Sequence, residues 1–332
     1  MSRASDPDPF HDTFIAMAGA RAVITATRLG VFDALGDQAA AAPALADGLG
    51  LEPAGVEALL TALTAQGYVE ADPGGLHRLS PAARRHLVSS SPDSIASFIG
   101  GYDSDAWDML GGLDDVLAGR AEPGRHEHPP GDPFWETYIR GLFELSRDEH
   151  DANAAAVPVE DPRRLLDLAG GHGGFALAMC RRHPHLRATV LDLPGSVRVG
   201  RRIVAEQGVG DRIDFREGDA LDAELGAGLD VCSAFNLIHH LTPEAVRALL
   251  ARAHPALRSG GWLVIGDTER TEPGDPPSRS GALSGLVYYA SSGTRNYTRR
   301  EVTGWLRQAG FSDPRIVRNQ RSPWRLLYLA RA

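Results

Sequence analysis

The sequence predicts an α/β fold: a largely parallel sheet with helices on both faces and an antiparallel hairpin at one edge, preceded by a mostly helical N-terminal domain. Three observations carry this expectation. From residue 163 onward, strand-like and helix-like segments alternate, which is the pattern of repeated βα units. The first strand of that series runs into a glycine-rich turn, Ala169-Gly170-Gly171-His172-Gly173-Gly174, and then into a helix. Ahead of Ser80 the chain shows three helical patterns and a short hairpin instead. A length of 332 residues suits two domains better than one.

In the N-terminal region, residues 13–35 carry a helical pattern through Ile15, Ala18, Ala22 and Leu29 that closes at Gly30, after which Val31–Leu35 restart one turn. Ala40–Leu49 reads as a second helix, ended by Gly50. Residues 53–66 form a third, with Pro53 in the first turn and Gly67 past its end. Its apolar Val56, Leu59, Leu60 and Leu63 make one buried stripe. Tyr68–Leu79 then reads as two strands about the turn Asp72-Pro73-Gly74-Gly75. Three helices and a two-stranded wing form a winged-helix pattern. The third helix presents Glu57 and no Arg, and the wing adds Glu70 and Asp72. A helix that reads a DNA groove presents Arg, Lys, Asn or Gln, so this domain is expected to dimerise or cover a site rather than bind nucleic acid.

Composition narrows the chemistry. The chain has 34 basic and 43 acidic residues, a net charge of −9, which argues against a phosphate or anionic-membrane surface. Every basic residue is Arg; without lysine there is no P-loop lysine and no Schiff base. Cys180 and Cys232 make neither a disulfide framework nor a zinc site. Met1–Phe10 lacks a basic n-region and an apolar h-region, and no run reaches membrane-spanning length. A soluble cytoplasmic protein is expected. Residues 119–133 are a Pro/Gly-rich loop in which His126 and His128 read as solvated rather than as a metal pair, and no metal is expected. A helix over 134–156 follows, bearing Trp135, Tyr138, Leu142, Phe143 and Leu145.

In the α/β half, strands are expected at Arg164–Ala169, Ala188–Leu191, Ile213–Glu217, Leu229–Asn236 and Trp262–Asp267. The helices are Phe175–Arg182, Val197–Gln207, 243–258, an apolar 282–287 and 299–309. Phe311–Val317 and Trp324–Leu329 give the edge hairpin. The domains are accordingly 1–100, winged-helix-like; 101–160, a helical linker reaching the active site; and 161–332, the cofactor domain.

Glycines at the first βα turn let backbone approach a ligand at a helix N-terminus. Gly171-x-Gly173-x-x-Ala176 fits a dinucleotide fingerprint, and Asp192, ending the second strand, is placed to accept ribose hydroxyls. Both suit NAD or S-adenosyl-L-methionine (SAM). Asp167, inside the first strand, can position the turn and the amino end of a SAM methionine, while Asp219, ending the third, can accept an adenine amino group beside Ala220. The chain also leaves no room for a second mononucleotide half with a dehydrogenase domain. An acid, a glycine turn and two further acids at successive strand ends favour SAM, with S-adenosyl-L-homocysteine (SAH) as product. The fourth strand runs into Asn236-Leu237-Ile238-His239-His240-Leu241, where either histidine can act as a general base or merely pack.

With these residues the chain resembles the two-domain small-molecule O-methyltransferases, the plant caffeate and flavonoid enzymes and the bacterial tailoring enzymes of polyketides and antibiotics, over nearly its whole length. The resemblance implies a class I methyltransferase Rossmann-like sheet, an N-terminal winged-helix dimerisation domain, and a homodimer acting on a small, aromatic acceptor. It implies that Ile238-His239-His240-Leu241 occupies the place of the catalytic Leu-His-Asp-Trp segment, and that Asp267 orients His239. It also implies that Gly171, Asp192, Leu193, Asp219, Ala220 and Phe235 line the SAM site, and that Ser146 meets the SAM carboxylate. Three positions depart from the family. His240 and Leu241 replace Asp-Trp; Arg295 or Asn296 stands where a second flanking acid belongs; Ala169 replaces the first glycine of the turn. The missing acid leaves C- or N-methylation, or a SAM-binding scaffold with non-methylating chemistry, as alternatives. Phe134, Trp135, Tyr138, Tyr288, Tyr289 and Tyr297 are candidates for a flat aromatic pocket.

Overall fold

The structure, a computed structural model, describes residues 9–124, 126–318 and 324–332. Met1–Asp8, most of the stretch read for a leader, lies outside the described residues, as do Arg125 and residues 319–323. The chain divides into two compact units, Met1–Asp105 and Ala106–Ala332.

The first unit opens with α1 (Pro9–Arg28), and Gly30 at φ 72° turns the chain into α2 (Val31–Leu35). Ala40–Ala41, expected to start a helix, is instead a two-residue strand, β1, and α3 (Ala42–Leu49) begins with Pro43 in its first turn. The pairing of Ala40 and Ala41 with His77 and Leu76 takes those residues out of the helix. Then come α4 (Pro53–Ala65), β2 (Val69–Ala71) and β3 (Leu76–Leu79), in a three-stranded antiparallel sheet of order β1-β3-β2. The Asp72 side chain accepts the Leu76 amide at 2.9 Å and closes the wing turn. Val56, Leu60 and Leu63 of α4 pack with Phe32, Leu35 and Leu79 in one core. Beyond the wing lie α5 (Pro81–Leu87), a π-helical turn at Phe98–Tyr102, and α6 (Asp103–Gly111), which spans the unit boundary in sequence.

The second unit continues with α7 (Leu113–Leu117) and α8 (Phe134–Ala156), followed by β4 (Arg164–Leu168), α9 (Gly174–Arg182), β5 (Arg187–Asp192), α10 (Pro194–Glu206) and β6 (Ile213–Glu217). Then come β7 (Leu229–Phe235), α11 (Pro243–Ala256), β8 (Leu257–Thr268), α12 (Arg279–Ser292), α13 (Arg299–Gln308), β9 (Ser312–Arg318) and β10 (Arg325–Arg331). The sheet order is β6-β5-β4-β7-β8-β10-β9, with β10 antiparallel to both its neighbours. The edge hairpin is therefore present. Both faces of the sheet are covered. Leu165, Val231, Val264, Leu327 and Leu329 face the core that α8, α9 and α10 build, while Leu166, Leu168, Cys232, Ala234, Leu326 and Tyr328 face α11 and α13. Apolar residues on both faces are why these strands read as near-continuous hydrophobic runs.

Two boundaries in the second unit differ from the sequence expectation by five residues. β8 begins at Leu257, five residues before Trp262, because its first part pairs with Leu229 and the register shifts before Val231. Tyr288 and Tyr289 lie within α12 rather than beyond it, since the helix runs through small Ala290, Ser291 and Ser292 to its cap at Gly293, φ 67°.

Candidate active site

Two clusters form at the C-terminal ends of adjacent parallel strands, where open α/β sheets hold ligands. The first is built on the turn after β4. The backbone turns at Ala169 (φ 49°), Gly171 (φ 53°) and Gly173 (φ 71°), and α9 starts at Gly174. Gly171 is left-handed and its amide points at β5, where Asp192 Oδ2 accepts it at 2.7 Å; Asp192 Oδ1 accepts the Leu193 amide at 2.6 Å. Beneath the turn, a Cβ on Gly200 of α10 would stand 2.3 Å from the Gly171 carbonyl oxygen, so only glycine lets helix and turn meet. Burial pushes the Asp192 carboxyl up to about 6, against the pull of its two amide donors. Asp167, 1% exposed, accepts the Ser233 hydroxyl at 2.6 Å, and burial pushes its carboxyl up to about 7, with Asp192 adding to the rise. Asp219 is exposed at the end of β6 and accepts the Leu221 amide at 2.8 Å; the adjacent Ala220 is buried. Phe235 ends β7 with its ring 4.6 Å from that of Phe175.

Ser146 of α8 reaches this turn through two histidines that the sequence reading passed over. Its hydroxyl donates to the Leu142 carbonyl at 2.5 Å and lies 3.0 Å from His150 Nε2 and 3.4 Å from His172 Nε2. The Gly174 amide donates to His172 Nδ1 at 3.0 Å, which leaves Nε2 as the protonated nitrogen facing Ser146. Burial, with the Arg325 charge, holds His150 down to about 3, and burial likewise lowers His172, so both rings are neutral. His150 Nδ1 is buried and has no hydrogen-bond partner. The signal for His172 was visible, since it interrupts a run of four glycines; His150 carried none beyond its helical offset from Ser146.

The second cluster follows β7. His239, 3% exposed, sits on a short 3-10 turn (Ile238–His240), and its Nδ1 lies 2.6 Å from Asp267 Oδ1 on β8. Its ring stacks on Tyr288 of α12, with centroids 3.6 Å apart and planes 10° from parallel. The Tyr288 hydroxyl meets Thr268 Oγ1 at 2.9 Å, and the Thr294 hydroxyl donates to the His239 carbonyl. His239 Nε2 faces His240 Nε2 at 3.0 Å, and His240 Nδ1 meets Ser292 Oγ at 2.5 Å. His126 does not lie in a solvated loop. It is half-buried, packs edge-on to His240 at 4.7 Å and joins the Tyr138 hydroxyl at 2.8 Å. His128 goes elsewhere, stacked on Phe134 and 3.3 Å from Asp132. Arg325 of β10 pairs with Glu149 at 2.7 Å and donates to Asn236 Oδ1 at 3.0 Å.

The aromatic candidates therefore separate. Tyr138 and Tyr288 gather at the histidines; Trp135 is core, its indole N–H donating to the Pro129 carbonyl. Tyr297 is also core, packed on Trp305, and Tyr289 is 39% exposed. Where the resemblance leads one to expect a second acid, Arg295 pairs with Glu301, while Asn296 is buried and its Nδ2 donates to the Glu269 and Gly281 carbonyls. The hydrogen bonds of these two side chains run to Glu301, Glu269 and Gly281, while those of the His239 ring run to Asp267 and His240.

The sheet, its acid-tied glycine turn and a carboxylate-held histidine at the next strand end define a SAM-dependent methyltransferase. The donor set fits that molecule: Asp192 and Asp219 stand at successive strand ends, Ala220 offers an apolar floor, and an unpartnered imidazole nitrogen is buried beside the turn. Residues 129–312 match the O-methyltransferase domain, and residues 14–89 match the O-methyltransferase dimerisation domain. The chain is 32% identical over 308 residues to the 3-hydroxy-5-methyl-1-naphthoate 3-O-methyltransferase of Streptomyces sahachiroi, covering 88% of this chain and 86% of that one. It is 30% identical over 320 residues, 91% of each chain, to the tetracenomycin polyketide synthesis 8-O-methyl transferase TcmO of Streptomyces glaucescens. Its fold matches that of human N-acetylserotonin methyltransferase in complex with SAM with a TM-score of 0.84, at 21% identity, over 100% of this chain and 99% of that one. The chain belongs to the O-methyltransferase family, and SAM is its methyl donor. Among the described residues, no helix is long and apolar enough to cross a membrane.

Proposed function

We propose that this enzyme methylates a phenolic hydroxyl of a small aromatic natural product, with His239 as the base that ends up holding the hydroxyl proton. The observation that carries the reading is the 2.6 Å contact between His239 Nδ1 and Asp267 Oδ1, with the ring clamped by Tyr288. A carboxylate at Nδ1 fixes the tautomer that leaves Nε2 as acceptor, and it stabilises the imidazolium that forms. SAM supplies an electrophilic methyl; what the chain supplies is position and a proton sink. Asp192 and Asp219 hold the ribose and adenine, Ala220, Leu193 and Phe235 pack around them, and Asp167, Gly171, Gly173 and Ser146 shape the methionine end. Rings of Tyr138, Tyr288 and His126 offer flat walls that suit a fused aromatic acceptor. The relatives named for a naphthoate and for a tetracenomycin hydroxyl support this class.

In the same reading, residues 1–100 form the dimerisation domain of a homodimer, 101–160 contribute acceptor-side residues, and 161–332 bind SAM. The dimerisation-domain match over residues 14–89 supports the first assignment. The test is incubation with methyl-labelled SAM and a panel of hydroxylated naphthoates and anthraquinones. Methyl ether formation, reduced on the order of 10²-fold or more in His239→Gln, is expected. Label found only on carbon or nitrogen, or an undiminished rate in His239→Gln, would overturn the O-methyl, His239-based reading.

A further inference from the structure

We propose that His240, not His239, meets the acceptor hydroxyl, and that the proton passes through the His240 ring to His239. This rests on the reading of His239 as the final proton holder. With His239 neutral, the hydrogen bonds admit one consistent order of protons. Asp267 accepts only, so His239 carries a hydrogen on Nδ1, and in the neutral ring the Nε2 lone pair accepts. The atom facing that lone pair at 3.0 Å is His240 Nε2, which must therefore carry hydrogen. His240 Nδ1 is then an acceptor, and Ser292 Oγ donates to it at 2.5 Å. The Ser291 hydroxyl donates to the Tyr288 carbonyl at 3.2 Å, and its oxygen lies 3.3 Å from Ser292 Oγ, a longer contact for the Ser292 proton than the 2.5 Å to His240 Nδ1. All bonds point one way, from Ser292 through His240 and His239 to Asp267.

Burial gives the order of approach. His239 is 3% exposed, with one face against Tyr288 and its basic nitrogen occupied by His240. His240 is the half-exposed member, held edge-on by His126, which Tyr138 anchors in turn. An acceptor hydroxyl reaching this cluster takes the place of Ser292 at His240 Nδ1. Its O–H bond breaks as an N–H bond forms at His240 Nδ1. The N–H bond at His240 Nε2 breaks as one forms at His239 Nε2. The oxygen's pair makes the new bond to the methyl carbon, and the carbon–sulfur pair leaves with sulfur as SAH. The positive charge finishes on His239, against Asp267, rather than on the exposed ring. Two neutral rings arranged this way supply from the chain's own residues an alternative to the family's second acid.

The charged and titratable groups facing the pair are Asp267 on β8, Tyr288 on α12, His126 in the loop before α8, Tyr138 on α8 behind it, and Arg325 on β10, whose charge reaches Asp267 and Tyr288. The test uses the full chain labelled with 15N-histidine and saturated with SAH. Nitrogen spectra are expected to show His239 protonated at Nδ1, His240 protonated at Nε2, and a coupling across the Nε2–H···Nε2 bond that disappears in His240→Gln. A His240 ring protonated at Nδ1 overturns the relay, whatever the acceptor. With the phenol that the panel turns over, His240→Gln is expected to lose on the order of 10²-fold in kcat with KM and SAH affinity nearly unchanged. Added imidazole is expected to restore part of the rate in His240→Gly but not in His239→Gly, whose site is closed. Full activity in His240→Gln with none in His239→Gln overturns the relay and leaves His239 as sole base. Full activity in both overturns the His239 reading itself.

Discussion

The Asp192 carboxylate accepts the Gly171 amide hydrogen at 2.7 Å, tying the turn after β4 to the end of β5. The same carboxyl is pushed up to about 6 by burial, so the charged carboxylate predominates only above that pH. Ribose hydroxyls donate to the ionised form, both of whose oxygens accept; protonation turns one oxygen into a donor and weakens the other as an acceptor. Affinity for SAH is expected to fall as pH drops through about 6, by up to tenfold per unit, with proton release on binding. Calorimetry in two buffers of different ionisation heat checks both. At pH 8, Asp192→Asn should cost roughly 1.5–3 kcal/mol of SAH binding, the range for hydrogen bonds to charged groups.

Asp167 makes a stability prediction of defined sign. Its folded-state carboxyl stands at about 7, above the ordinary value of 3.8, because burial opposes ionisation. Stability from this group is therefore full below about pH 4 and lost as pH climbs through 7. Asp167→Asn cannot ionise and still accepts the Ser233 hydroxyl. Relative to wild type, the variant should gain up to about 3 kcal/mol between pH 5 and pH 8. Urea unfolding at both pH values measures this, and a constant difference would show that the carboxylate is already ionised at pH 5.

Ala169 stands where the resemblance leads one to expect glycine, and its φ of 49° is left-handed. A Cβ there costs roughly 1 kcal/mol, and the neighbouring strand holds the residue in place through the Ala169 amide bond to the Leu191 carbonyl. Ala169→Gly should raise the melting temperature by about 2 °C, with SAH affinity unchanged. A lower melting temperature would mean that the Ala methyl packs well enough to offset the strain.

Where the chain was legible, the cause was period and punctuation. The helix over 134–156, the strand over 213–217 and the acids at strand ends follow from apolar spacing and from the glycines that mark turns. His239 was visible because it follows a strand, whereas Asp267 was marked as its partner only by the family resemblance. The partners of His240 were not. His126 comes from a Pro/Gly loop and Ser292 from the last turn of α12, each brought to the ring by tertiary packing that no local pattern encodes. The aromatic candidates show the same limit: Tyr288 and Tyr289 are adjacent in sequence, yet one stacks on His239 and the other faces outward.

Asn296 shows why the missing acid cannot simply be restored. Its Nδ2 donates to the Glu269 carbonyl at 3.1 Å and to the Gly281 carbonyl at 3.0 Å, and its Oδ1 lies where a Cβ on Gly285 would stand only 2.7 Å away. The amide thus ties the end of β8 to α12, the helix that carries Tyr288 and Ser292. In Asn296→Asp a carboxylate oxygen would face two carbonyl oxygens in a buried site. Two donors vanish and a charge is stranded, a change expected to destabilise the fold by roughly 3–5 kcal/mol at neutral pH, and by less in acid, where the protonated side chain again has one hydrogen to give. Activity should fall with the displacement of α12 rather than rise with the added acid. Thermal unfolding at pH 5 and pH 8, set beside kcat, checks this. A variant that is as stable as wild type and faster would mean that this site does accept a second acid.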